Sequence, residues 1–237
     1  MSELTNRTQD AVDFAMPLFD VVDLFHDETA RNGPEQMALD EALLEITPRP
    51  LLRVYRWAEP TVSFGYALPL ASVRDRFPGL PCVRRWTGGG IVAHLDDWTF
   101  ALLVPSSEAL ASVRPIQAYQ LIHSGVAAAL TKVGCAARLA EPFHCADDLA
   151  CFTSPALHDV IGVGDRKLCG GAQRRTRRGF LHQGSIQNVK PPRNFARHLL
   201  ELVAGKAGAF SLATTTVARA KALVANKYAS KAWLERA

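Results

Sequence analysis

Cys151–Ile186, CFTSPALHDVIGVGDRKLCGGAQRRTRRGFLHQGSI, reads as a strand hairpin that collects most of the chain's reactive side chains. Val160–Val163 is a short apolar run, Gly164-Asp165 is a two-residue turn signal, and a second strand resumes at Arg166, carrying Lys167 and the paired glycines Gly170 and Gly171. Arg174, Arg175, Arg177 and Arg178 follow as the densest basic cluster. It reads either as a patch for phosphates or an acidic protein face, or as a solvated hairpin tip.

Outward from this hairpin the chain supplies more strands than helices. Val83–Trp86 is a strand, Thr87–Gly90 a loop, and Ile91–His94 with Trp98–Val104 a second hairpin turning at Leu95-Asp96-Asp97. Leu51–Trp57 and Thr61–Tyr66 are expected to form a meander, and Leu18–Phe25 a strand or extended arm. Asn32-Gly33-Pro34 signals a helix start. Leu39, Ala42, Leu43 and Ile46 then recur on one face, with Asp40, Glu41 and Glu45 expected to point outward. A long helix runs from Pro115 through Ile122, Val126, Ala129, Leu130 and Val133, with Gly134 placed to end it. Asn194–Leu202 and Thr214–Tyr228 also read as helical. The simplest architecture is one α+β domain over residues 1–237, a mixed and mainly antiparallel sheet flanked by helices, with residues 1–30 as an N-terminal arm and 187–237 as C-terminal helices.

Composition sets the outer limits. The 237 residues are 48% hydrophobic, enough for a sizeable core. No apolar run approaches the roughly 20 residues that span a bilayer, and the first residues lack a signal-peptide core, so a cytoplasmic protein without membrane partners is expected. Five cysteines in a chain of this length are expected as reduced thiols. The net charge of +4 favours acidic partners, but no nucleic-acid-binding signature accompanies it. His144, Cys145, Cys151, His158, Cys169 and His182 lack zinc-ligand spacing, and no Gly-x-Ser-x-Gly elbow is present, so no metal site and no serine triad is expected.

Taken singly, the motifs are bland. Thr87-Gly88-Gly89-Gly90 allows close backbone approach to a ligand, yet serves equally well as a turn. Lys167 alone is a strand lysine, and Cys151 alone is a small buried hydrophobe that becomes a thiolate only beside a cation or base.

Read together, four strings in order carry a resemblance: PEQMALDEALLE (Pro34–Glu45), LRVYRWAEPTVSFGY (Leu52–Tyr66), VRRWTGGGIVAHLDDWTFALLVP (Val83–Pro105) and GDRKLCGGAQRRTRRGFLHQGSI (Gly164–Ile186). The sequence resembles the lipoate-protein ligase and octanoyltransferase family, which shares its fold with biotin-protein ligases. The resemblance implies an acyl chain held between a loop side, Arg84, Arg85, Gly88, Gly89, Gly90 and His94, and a strand side, Lys167, Gly170, Gly171, Ala172 and Gln173. The family's lysine contacts the activated acyl group, which assigns Lys167 to catalysis.

Cys151-Phe152 ahead of the lysine strand is similar to the cysteine-dependent octanoyltransferase branch, and the stretch after Ile186 is short for the accessory domain of many ligases. That branch implies a transfer without cofactor: an octanoyl group passes from acyl carrier protein to a Cys151 thioester, then to a lysine of a lipoyl domain or of glycine cleavage H protein. Two alternatives stay open. One is an ATP-dependent lipoate ligase catalytic domain with a separate accessory subunit; the other is a non-catalytic paralogue that binds acyl groups or carrier proteins. One departure stands out, His182-Gln183-Gly184 where the family commonly has histidine directly before the glycine.

Overall fold

The junction between strand β1 (Phe19–Arg31) and helix α1 (Gly33–Ile46) follows from local chemistry. The Asn32 side chain accepts from the Glu35 N–H, Glu35 returns a bond to the Asn32 N–H, and Pro34 takes an early helical position where no N–H is needed. The structure, a computed structural model, describes residues 17–141 and 155–236. After α1 come β2 (Leu51–Trp57), β3 (Thr61–Phe64), α2 (Leu70–Arg76), β4 (Cys82–Arg84), β5 (Ile91–His94), β6 (Trp98–Pro105), α3 (Ala109–Ser112) and α4 (Pro115–Lys132). The remainder is β7 (Arg138–Leu139), β8 (Val160–Ile161), β9 (Lys167–Thr176), β10 (Gly179–Ile186), α5 (Phe195–Val203), β11 (Ala204–Ala209), α6 (Thr214–Leu223) and α7 (Lys231–Leu234).

These strands form an eight-stranded sheet in the order β11-β1-β2-β6-β10-β9-β8-β7, with β1 parallel to β2 and β11 and the other pairs antiparallel. A three-stranded sheet, β4-β3-β5, stands beside it. Period-two alternation divides the large sheet's side chains between two cores. Phe100, Leu102, Val104 and Phe180 pack with α4 and α5, while Ala101, Leu103 and Leu181 pack with α1 and α6.

The mixed α+β architecture agrees with the sequence reading, but two local pairings do not. β2 and β3 make no meander, and β5 and β6 make no hairpin: β3 pairs with β4 and β5 in the small sheet, while β2 and β6 pair with each other in the large one. The segments at Ala58–Pro60 and Leu95–Asp97 carry the chain between sheets instead of closing a hairpin.

The charged face of α1 also departs from expectation. Asp40 and Glu41 are buried, Asp40 because it faces the sheet beneath α1 and Glu41 because the segment after α6 covers its side of the helix. Arg53, fully buried on β2, meets Asp40 and donates to Asp27 at 2.7 Å. Glu41 accepts from Lys227 and Tyr228. Charges held at such depth persist only when paired.

Candidate active site

Lys167 reaches the site through an irregularity in β9. Val160 pairs with Cys169 but Ile161 pairs with Lys167, so Leu168 is one residue more than β8 can match. Leu168 and Cys169 consequently both enter the α4-side core, and Lys167 emerges on the opposite face with Gly170. The lysine lies across Gly170 so closely that a Cβ there would sit 2.6 Å from Lys167 Cε. Lys167 is buried, and its Nζ is 2.6 Å from Asp159 Oδ2.

The facing wall is the glycine loop between β4 and β5. Gly89 takes φ +82°, and its carbonyl occupies the space a Cβ on Gly65 would need, 1.9 Å away. Arg85 ties the loop down by donating to the carbonyls of Gly88 and Gly90, both at 2.9 Å, and to Ser63 Oγ at 2.8 Å. Behind it runs a chain of polar groups. His94 Nδ1 donates to Asp97 Oδ2 at 2.7 Å, and the Ser63 hydroxyl, which accepts from Arg85, is hydrogen-bonded to His94 Nε2 at 2.7 Å. Burial pushes the Asp97 carboxyl up, but His94 and the Ser185 and Thr99 hydroxyls outweigh it and hold it below the usual carboxylate range. Asp97, His94, Ser63 and Arg85 thus form one ordered line ending on the loop's carbonyls. Trp57 stacks on His94 at 4.1 Å and closes the line from the side.

A narrow cavity lies between these walls, lined by Lys167, Gly170, Gly171 and Ala172 on one side and by Arg85 and His94 on the other. Met37, Tyr55 and Gln183 line it further in. Gln183 links the walls to α1, donating from Nε2 to Asp40 and accepting at Oε1 from Thr87 of the glycine loop.

Not every residue named from the sequence reaches this cavity. Arg84 turns the other way, donating to the carbonyls of Tyr66, Leu68, Trp233, Leu234 and Arg236, and so fastens the C-terminal segment to β4. Gln173 lies on the α4 face of β9 and donates to His182 Nδ1. The backbone of Gly88–Gly90 shapes the wall, with Gly89 against Ala172. Cys151 lies outside the described residues, as do His144 and Cys145. The four arginines form no single patch. Strand alternation sends Arg174 between Tyr66 and Trp86 and Arg175 to the carbonyl of Ala111, while Arg178 bonds the Glu45 carbonyl and Arg177 stays exposed.

Ser63, Asp97, Tyr119, Asp159 and Thr99 are site residues the sequence reading passed over. Only Asp97 carried a local signal, three residues after His94. The others are polar residues in otherwise apolar strings.

A family model described as the lipoyl protein ligase A/B catalytic domain matches residues 32–209. The chain belongs to this family. Among relatives of this lipoyl protein ligase A/B domain, the octanoyltransferase LipM of Oceanobacillus iheyensis is 33% identical over 173 residues, 68% of this chain and 62% of its own length. The octanoyltransferase LipM of Moorella thermoacetica is 34% identical over 166 residues, 63% of this chain and 59% of its own. The chain therefore spans less than two thirds of the length of either relative. Among solved structures, a bi-partite lipoate protein ligase from Thermoplasma acidophilum, studied with its E2 lipoyl domain, superposes with a TM-score of 0.70 at 19% identity, covering 92% of this chain and 96% of that one. Lipoate-protein ligase A bound with ATP gives 0.71 at 20% identity, covering 90% and 98%. Both share the fold described above. Among the described residues, no helix is long and apolar enough to cross a membrane.

Proposed function

We propose that this chain transfers an octanoyl group from acyl carrier protein to a lysine of a lipoyl domain, or of glycine cleavage H protein, through a thioester on Cys151. The observation that carries the reading is the buried Lys167 facing the glycine loop across a narrow cavity, in a chain a third identical to octanoyltransferases. In the first step Cys151 Sγ, as thiolate, attacks the donor's thioester carbonyl. The new C–S bond forms as the donor's C–S bond breaks, and the carrier's thiolate leaves and takes a proton. In the second step the acceptor amine attacks the Cys151 thioester and gives up a proton, the amide forms, and the Cys151 thiolate is released.

Lys167 supports both steps. Its ammonium faces the oxygen that becomes negative in each tetrahedral intermediate, in a site where little water competes. The glycine loop narrows the opposite side and confines the acyl carbonyl to one approach. No cofactor enters this chemistry. We place it in the cytoplasm, where Cys151 stays reduced, and we take the whole chain as one catalytic unit.

The test is to incubate the purified protein with octanoyl-acyl carrier protein in the absence of ATP and weigh the intact protein. An octanoyl adduct that hydroxylamine removes, present in the parent and absent in Cys151→Ala, is the expected result. No adduct, together with ATP-dependent acyl-adenylate formation, overturns the proposal in favour of a ligase.

A further inference from the structure

We propose that Tyr119 and Asp159 form a positioning pair that aims Lys167 into the cavity and anchors it to the backbone of its own strand. The proposal rests on the reading of Lys167 as the acyl-facing cation of the transfer reaction. Its grounds are four connected contacts. Asp159 Oδ2 lies 2.6 Å from Lys167 Nζ and accepts from the Ala156 N–H, also at 2.6 Å. Asp159 Oδ1 accepts from the Tyr119 hydroxyl at 2.5 Å, and the Tyr119 oxygen accepts from the Gly171 N–H at 3.0 Å. From Gly171 the strand leads back to Lys167, so the contacts close a ring: lysine, carboxylate, phenol, backbone amide.

Why the ring forms at this place follows from the sheet. β8 pairs with β9 no further along than Cys169, so among the described residues no strand lies opposite the Gly171 N–H on that edge. Tyr119 on α4 fills the gap. Burial and the adjacent Asp159 charge raise the Tyr119 phenol well above its ordinary range, so it keeps its proton and enters the ring as a donor. A lysine side chain is otherwise a flexible stem with a strongly hydrated head, and holding it still has an entropic cost. An ion pair whose carboxylate is itself fixed by two other donors meets that cost before substrate arrives. The pair therefore acts through Lys167 and touches no substrate.

The test uses the full chain with Tyr119→Phe, Asp159→Asn, Asp159→Glu, the Tyr119→Phe/Asp159→Asn double variant and Lys167→Ala. Octanoyl transfer is measured as kcat and KM, and the reactivity of Lys167 toward an amine-acylating reagent at fixed pH is read by peptide mass spectrometry. Tyr119→Phe is expected to lower kcat about 10-fold and Asp159→Asn about 100-fold, each with KM changed by less than about 2-fold, as for a group that acts in the transition state. Asp159→Glu should recover part of the loss. The double variant should be no slower than Asp159→Asn, because both substitutions break one ring.

In Asp159→Asn, Lys167 should acylate about 5-fold faster or more, freed from its anionic partner, and in Tyr119→Phe, where Asp159 stays but loses one of the donors that hold it in place, by a smaller factor of about 2. Losses confined to KM, additive losses in the double variant, or unchanged Lys167 reactivity would overturn the proposal. If Asp159→Asn does not fold, Tyr119→Phe, which removes a single oxygen, decides alone. Full activity in Lys167→Ala sinks the acyl-site reading instead, and the reactivity of Lys167 in the other variants still reports whether the pair holds it.

Discussion

Gln183 Nε2 donates to Asp40 Oδ2 at 2.7 Å, joining a central strand to the helix above it, with Asp40 fully buried and Gln183 nearly so. Asp40 also receives Arg53, so the strand amide completes a carboxylate site between α1 and the sheet. Replacing Gln183 by leucine removes this donor and the acceptor of Thr87 together. The loss should be about 2–3 kcal/mol of folding stability, the usual result of leaving a buried charged group one hydrogen bond short. Urea denaturation of Gln183→Leu against the parent measures it, and an unchanged midpoint would show that the bridge contributes nothing.

Gly65→Ala tests how rigidly the glycine loop must sit. The new Cβ would fall 1.9 Å from the Gly89 carbonyl, a backbone atom that moves only if the loop moves. Octanoyl transfer should fall on the order of 100-fold, as for a displacement of about 1 Å in a positioned site. Stability should drop by about 1–3 kcal/mol. Gly88→Ala, whose Cβ would meet nothing within 4 Å, is the comparison and should melt within about 0.5 kcal/mol of the parent.

Acid should unfold this protein earlier than its carboxylates alone require. His123 and His182 are fully buried against Tyr119; burial pushes His123 down to about 3 and His182 well below its ordinary range. Between those values and the unfolded pKa near 6.5, the unfolded chain binds protons that the folded one refuses. Stability therefore falls as pH drops below about 6.5, by up to about 1.4 kcal/mol per pH unit for each histidine. Asp97, depressed instead from a carboxylate's range, adds its loss only below about pH 4. Denaturation midpoints at pH 7.5, 6.0 and 5.0 should fall, and His182→Gln should flatten the fall; equal slopes in parent and variant would contradict this account.

Cys169 should be silent. It has no exposed surface, and burial beside Asp159 pushes its thiol far above the ordinary range. Maleimide should label Cys169 only after denaturation, and Cys169→Ala should keep transfer activity within about 3-fold, as expected of a thiol that only packs. Native labelling, or an octanoyl group recovered on Cys169, would reverse that assignment.

What could be read from the sequence divides along physical lines. The strands, the capped start of α1 and the end of α4 at Gly134 follow from local patterns, and Gly134 indeed takes φ +86°. The division into two sheets was not legible, because both orders of pairing satisfy the same period-two pattern and the choice depends on contacts across the glycine loop. The burial of Asp40 and Glu41 was hidden for a related reason: the partners that admit them, Arg53 and Gln183 on the sheet for Asp40 and Lys227 and Tyr228 for Glu41, lie far from α1 in the chain and leave no mark on the helix's own period. At the site, Lys167, Arg85, His94 and the glycines were found from ordered motifs. Tyr119 and Asp159 were not, since their meeting with Gly171 joins segments tens of residues apart with no shared pattern.

The irregular pairing at Leu168 gives the Lys167 strand an unusual sensitivity. Which way the lysine points depends on how many residues separate it from Cys169, and hardly on what those residues are. Replacing Leu168 by another aliphatic residue leaves that count intact. Losing it closes the irregularity and strict alternation still sets the lysine on the face of Gly170, whereas gaining one regular neighbour turns the lysine toward α4 while barely altering composition. Point substitutions here should be forgiven far more readily than the in-frame insertion of a single codon.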